Sequence, residues 1–201
     1  MKSLRIATFA LTLLAAAVAT PVPDGAFAKQ DTAKVMSQEE LERSLQVVIN
    51  ELLDAQTRGD AAAATRITRA LLPDGARLKE ALHPEIDSAT REKILALHAK
   101  LPKDDASLAK LLAAKPGQTV VAIHGSTTEQ LAAYKEGTTA FAEFPGGAQK
   151  LAQGKVLKPG QTFFEVEFLA PGSDKGMKYH LFYWDGNSWS MLGPIWRVTA
   201  S

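Results

Sequence analysis

From Ser37 onward the apolar positions fall at helical spacing. Leu41, Leu45, Val48 and Leu52 define one buried face. Ser37 and Glu40 fit a capping box, with Met36 and Leu41 placed as a hydrophobic staple. Gly59 ends this helix and Asp60 caps the next, an Ala-rich run from Ala61 to Leu72 that Pro73 stops. Asp74 is placed to cap a short helix through Leu82. A further helix is expected from Ser88 to Lys100, with Ile94, Leu97 and Leu101 apolar and Pro102 ending it. Asp105 then caps a last short helix, Ala106 to Ala114, before Pro116-Gly117.

The period changes after that point. Thr119 to Ile123 is β-branched and reads as a strand. Ser126 and Glu129 make a second capping box, so Ser126 to Lys135 reads as a helix. Thr138 to Phe144 reads as a strand ended by Pro145-Gly146-Gly147, and Gln149 to Gln153 fits either helix or strand. Phe163 to Ala170, Met177 to Trp184 and Ser188 to Leu192 read as consecutive antiparallel strands. Ile195 to Thr199 continues as a strand after the Gly193-Pro194 break.

Alternation within the strands sets an expected register. Phe164, Val166 and Phe168 share one face; Phe163, Glu165, Glu167 and Leu169 share the other. Matching the apolar sets pairs Phe168 with Tyr179 and Val166 with Leu181, which puts Glu167 opposite His180. Asp185-Gly186-Asn187 then works as a three-residue loop that brings Trp189 beside Tyr183 and Met191 beside Leu181. The fold class that follows is α+β. An N-terminal helical half (37–115) packs on a C-terminal curved antiparallel β-meander (118–199), together one mature domain over 29–201.

The start of the chain has another pattern. Lys2 and Arg5 precede an apolar run of 14 residues from Ile6 to Ala19. Pro21, Pro23 and Gly25 break it, and Ala26-Phe27-Ala28 offers small residues at −3 and −1 of a cleavage site. This order is that of a secretory signal peptide, 1–28, cleaved after Ala28. The run falls short of the roughly 20 residues a membrane span needs, so no stable membrane anchor is expected. The expected destination is the periplasm or the exterior. Lys29 to Val35 is a polar tail.

Composition narrows the chemistry. The 201 residues are 46% hydrophobic and 22% charged with a formal charge of +1, which the leader removes. That balance suits a folded globular chain and argues against nucleic acid as a partner. Cysteine is absent, which excludes disulfides, zinc-thiolate sites, iron–sulfur clusters and cysteine nucleophiles. No P-loop, dinucleotide fingerprint, H-E-x-x-H or EF-hand loop occurs, so no cofactor and no metal is expected. Oligomeric state leaves no mark in the pattern.

Two segments resemble the NTF2-like superfamily, the cone-shaped α+β fold of SnoaL-type proteins. One is Leu52-Leu53-Asp54-Ala55-Gln56-Thr57-Arg58-Gly59-Asp60, similar to the "long helix, Gly-Asp, next helix" opening of those domains. The other is Trp184-Asp185-Gly186-Asn187-Ser188-Trp189, which resembles the family's terminal hairpin. The resemblance implies a pocket between curved sheet and helices, used variously by enzymes and by ligand-binding proteins. The segment Pro73 to Pro116 is longer than the family's usual connection, and no catalytic set carries over by position.

Glu165, Glu167 and His180 are the sharpest catalytic candidates. Two carboxylates at i, i+2 and a histidine on the neighbouring strand suit general acid–base work or a divalent metal. The plainer reading is a cross-strand Glu–His pair on a half-exposed sheet face. His124 ends a strand just before a helix, where pockets open, although the adjacent Ser126 is explained as a cap. Tyr179, Phe182, Trp184 and Trp189 are candidate ligand-binding aromatics, with core packing as the alternative. Phe182, Trp184 and Phe163 fall on the second face, exposed unless a helix covers it. His83 and His98 read as surface residues. Two functions follow as expectations. The first is an exported protein binding a small molecule or a protein partner without catalysis. The second is a small hydrolase, lyase or isomerase using a Glu/His pair in a cone-shaped pocket.

Overall fold

Ser37 opens the first helix as its capping box requires: its hydroxyl accepts from the Glu40 amide, and Glu40 accepts from the Ser37 amide. The computed structural model describes residues 36–199; the expected leader 1–28, its expected cleavage site and the expected tail Lys29 to Val35 lie outside them. The helical half contains α1 (Gln38–Thr57), α2 (Ala61–Leu71), α3 (Gly75–Leu78), α4 (Ser88–Ala99) and α5 (Asp105–Leu111). Gly59, at φ +70°, makes the turn out of α1, and Asp60 then caps α2 by accepting the Ala63 amide. Asp74 caps α3, which stops at Leu78 rather than reaching Leu82, because Leu82 bridges to Leu157 instead. Asp104, not Asp105, caps α5: its carboxylate takes the Ser107 amide, and Asp105 is the first helical residue.

The C-terminal half carries β1 (Val120–Thr127), β2 (Thr162–Leu169), β3 (Met177–Trp184) and β4 (Trp189–Met191). They form one antiparallel sheet in the order β1-β2-β3-β4. The class is α+β, as the pattern predicts. Four short helices accompany the sheet: α6 (Thr128–Ala133), α7 (Thr139–Glu143), α8 (Gly146–Gln153) and α9 (Trp196–Thr199).

Three segments differ from expectation. Thr138 to Phe144 is helical, not extended. Ala140 and Phe144, four apart, both enter a core, and the proline after Phe144 holds that residue extended and ends the turn. Ile195 to Thr199 turns into α9 rather than an edge strand. The second capping box is displaced by one residue. β1 runs on to Thr127, whose hydroxyl takes the Gln130 amide, while Glu129 accepts from the Gly160 amide at 2.7 Å. Consequently His124 lies within β1, not at its end.

The register differs by a bulge. Phe168 pairs with Met177, Glu167 with Lys178 and Val166 with Tyr179; beyond the bulge, Phe164 pairs with Phe182 and Phe163 with Tyr183. Glu165 alone faces both His180 and Leu181, so β3 holds the extra residue. Leu181 absorbs it at φ +58°, a conformation a branched side chain rarely takes. Unbroken alternation cannot anticipate this. The bulge reverses every later face, so Phe182 and Trp184 turn toward the side of Phe164, and Leu181 and Tyr183 toward that of Phe163. In the last hairpin Trp184 pairs with Trp189 and Phe182 with Met191, leaving four residues in the loop instead of three.

Helices cover both faces. Phe164, Val166, Phe168, Phe182, Trp189 and Met191 pack with Leu45, Ile49 and Leu52 of α1 and Ile67 and Leu71 of α2. Phe163, Leu181 and Tyr183 pack on the other side with Leu78, Ile94, Leu131, Phe144 and Leu151. β2 is therefore buried from Phe163 to Phe168, and each large apolar side chain it hides contributes about 1.5–3 kcal/mol. The outer edge of β1 is engaged too: the Gln38 and Gln46 amides of α1 donate to the Gly125 and Val121 carbonyls at 3.3 Å each.

Candidate functional site

β2 carries two carboxylates into the second face. Directly opposite Glu165 on β1 stands His124, and the bulge on β3 brings His180 against it. One row of the sheet is thus His124, Glu165, His180, and the next is Ala122, Glu167, Lys178. Opposed residues share a face, so these polar side chains project together. α7 supplies Glu143 from above, and α9 supplies Trp196, whose ring meets the His180 ring edge-on at 5.1 Å. Gly147 of α8 makes room for that indole: a Cβ there would lie 2.4 Å from Trp196 Cγ.

The ionisable groups are graded by depth. The Glu165 side chain is 0% exposed and that of Glu167 6%, whereas His180, Lys178, His124 and Glu143 are each about a quarter exposed. His180 Nδ1 lies 2.5 Å from Glu165 Oε2, while Glu165 Oε1 has no hydrogen-bond partner among the described residues. Burial raises the Glu165 pKa; His180 and the Leu181 amide oppose the rise without cancelling it. Glu167 Oε1 accepts from the Gly176 amide at 2.6 Å. Position 176 must be glycine for that approach, since a Cβ would come within 1.9 Å of the Phe168 carbonyl oxygen.

Lys178 ties the layers together. Its ammonium donates to Glu143 Oε2 at 2.7 Å and to the Glu143 carbonyl at 3.2 Å, and lies 3.6 Å from Glu167 Oε2. The Lys178 hydrogen bond holds the Glu143 carboxyl below its ordinary range. Burial would lower the Lys178 pKa, but Glu143, Glu167 and Glu165 outweigh it and raise it. His124 Nε2 is 3.6 Å from Glu143 Oε2 and 3.9 Å from Glu167 Oε2. The ligand atoms of His124, Glu143 and Glu167 lie within 4.8 Å of one another, so these three could hold a cation. The Lys178 ammonium already contacts both carboxylates and would compete with it.

The structure brings Glu165, Glu167, His180 and His124 together. It puts Lys178 opposite Glu167, and pairs His180 with Glu165 instead. The aromatic candidates go elsewhere. Phe182 and Trp189 are buried in the first core, and Trp184 packs edge-on against Trp189. Tyr179 is half-buried, its hydroxyl donating to the Ala113 carbonyl at 2.8 Å. Phe163, expected to be exposed without a helical cover, is buried in the second core. His98 is not a surface residue: Nε2 donates to the Leu192 carbonyl at 3.1 Å, and burial lowers its pKa.

Glu143 and Lys178 are the members the sequence does not announce. Lys178 was within reach, two residues before His180 in β3. Glu143 was hidden because its segment reads as a strand. Trp196, a member of the late aromatic cluster with Tyr179, Tyr183, Trp184 and Trp189, is the one of that cluster that meets His180. Comparison of the chain with protein-family models, curated proteins and solved structures finds no match.

Proposed function

We propose that the chain is an exported binding protein that holds a small ligand carrying a cationic group on the polar face of β1, β2 and β3, beside Glu143 of α7. The observation that supports this reading is the convergence of two carboxylates, Glu143 and Glu167, on one ammonium, with Lys178 standing where a ligand amine would go. Carboxylates set on a low-dielectric floor attract cations. The exposed quarter of Lys178 allows its stem to swing aside while the buried carboxylates stay fixed. The helix, Gly59-Asp60 turn and helix of the opening, followed by an antiparallel sheet, support an NTF2-like architecture with 73–116 as an addition. The leader pattern supports export. Among the described residues, no helix is long and apolar enough to cross a membrane.

Calorimetric titration with 1,4-diaminobutane tests the proposal. Saturable binding that weakens at least tenfold in Glu167→Gln supports it. Absence of saturable heat with the wild-type protein overturns it.

A second reading has one observation in its favour. Glu165 engages Nδ1 of His180 and leaves Nε2 of a quarter-exposed ring as a base. A hydrolase, lyase or isomerase would use this pair. Turnover of a model ester that disappears in His180→Gln, with folding intact, would favour it over simple binding.

A further inference from the structure

The helical insert has a cavity of its own. It lies between α3, the chain after it and the first turns of α4, and measures about 330 Å³. Ligand pockets run from about 300 to 1,000 Å³, so this one suits a short ligand. Leu78 and Leu82, both buried, form its floor, and Leu95 forms a wall although 40% of that residue is exposed. An exposed leucine facing a cavity favours an apolar occupant.

The rim has one sign. Lys79, His83 and Arg91 line the cavity, and no carboxylate is among its lining residues. Arg91 and Leu95 stand four apart on α4, so the guanidinium borders the apolar wall. Neither Lys79 nor Arg91 makes an ion pair among the described residues. Arg91 has a long hydrogen bond, 3.4 Å, from Nη2 to the Pro84 carbonyl. His83 Nδ1 accepts the Glu85 amide at 3.1 Å, which places the proton of a neutral ring on Nε2 and leaves that N–H free to donate. Three donors thus border an apolar floor.

We propose that this cavity binds a small amphipathic carboxylate, a short- to medium-chain fatty acid in class. The apolar tail would lie over Leu78, Leu82 and Leu95, and the carboxylate would meet Arg91, Lys79 and His83. A guanidinium and a carboxylate match in planar geometry and charge. The site shares no residue with the Glu143, Glu165, Glu167 and Lys178 cluster and does not rest on the function proposed for it.

Titration of the full chain with sodium decanoate tests this, followed by calorimetry and by amide chemical shifts. The expected result is saturable binding with shifts confined to α3, residues 79–84 and α4. The double variant Lys79→Gln/Arg91→Gln should weaken binding at least tenfold with unchanged circular dichroism. 1-Decanol, which has the tail without the charge, should bind at least tenfold more weakly than decanoate. Absence of saturable binding, shifts centred elsewhere, equal affinity for decanol or an unaffected double variant would each overturn the proposal.

Discussion

Arg77 and Asp185, 108 positions apart in the chain, meet at 2.5 Å between Nε and Oδ2. The same guanidinium donates to the Trp189 and Ala70 carbonyls, and the Arg77 carbonyl accepts the Tyr183 hydroxyl at 3.1 Å. Burial pushes the Tyr183 pKa up to about 12, consistent with a phenol kept protonated as a donor. One arginine on a four-residue helix thus holds the insert, α2 and the last hairpin together. Asp185 also accepts the Asn187 and Ser188 amides within its own turn, so one carboxylate both shapes the loop and anchors it.

Arg77→Ala should therefore cost on the order of 3 kcal/mol, the scale for breaking a largely buried charged pair. Urea unfolding measures it. A loss below about 0.5 kcal/mol, the level of an exposed pair, would show that the contact does not form in solution.

Asp185 adds a pH dependence. Burial alone would raise its pKa, but the Arg77 and turn hydrogen bonds bring it below the ordinary 3.8. Its contribution is present above that ordinary value and is lost as pH falls through the lower folded value. The stability gap between wild type and Asp185→Asn should be constant from pH 7 to 5 and close in acid below 3.8. A gap that stays open there would contradict the assignment.

Glu165 acts with the opposite sign. Burial raises its folded pKa above the ordinary 4.5, so the folded state holds the proton longer and loses relative stability as pH rises from that value. Glu165→Gln keeps the shape and a partner for His180 without the charge. Its stability relative to wild type should increase from pH 4 to pH 8 in parallel urea titrations. A flat difference would mean that the carboxylate titrates normally.

Leu181 offers a test of the bulge. Its side chain is fully buried, while its backbone sits at φ +58°. Leu181→Ala should cost about 2–5 kcal/mol through the cavity it leaves. In an ordinary strand, glycine is worse than alanine by about 0.5–1 kcal/mol. Here glycine relieves the left-handed backbone, worth about 1–2 kcal/mol, so Leu181→Gly should equal or exceed Leu181→Ala in stability. The usual order, alanine above glycine, would place the positive φ elsewhere.

Lys178→Gln should let the Glu143 carboxyl titrate closer to its ordinary 4.5, since the Lys178 hydrogen bond is the largest influence lowering it. Carboxyl carbon chemical shifts followed from pH 2 to 7 would report this directly. An unchanged midpoint would break the link between α7 and β3.

Local signals carried much of the helical half. Ser37 with Glu40, Asp60 and Asp74 cap their helices where their spacing says, because capping involves neighbours three residues apart. Long-range geometry was not legible in that way. The Phe182 and Trp184 faces hinge on one extra residue in β3, and two short-range readings, an extended 138–144 and a strand at 195–199, yielded to packing in the second core. The site shows the same split. Glu165, Glu167, His180 and His124 declare themselves by residue type and alternation, whereas their pairing depends on the bulge, and Glu143 arrives on a helix whose period is too short to read.

The two glutamines of α1 bear on how this sheet meets other chains. An edge strand with free carbonyls is a template for pairing with another molecule. On β1, the Val121 and Gly125 carbonyls are already taken by side-chain amides. Intermolecular strand addition at that edge must wait until α1 lifts away. Self-association should therefore follow the undocking of a single helix, an event well short of global unfolding. The aggregation propensity of this chain would then be governed by how firmly its first helix is seated.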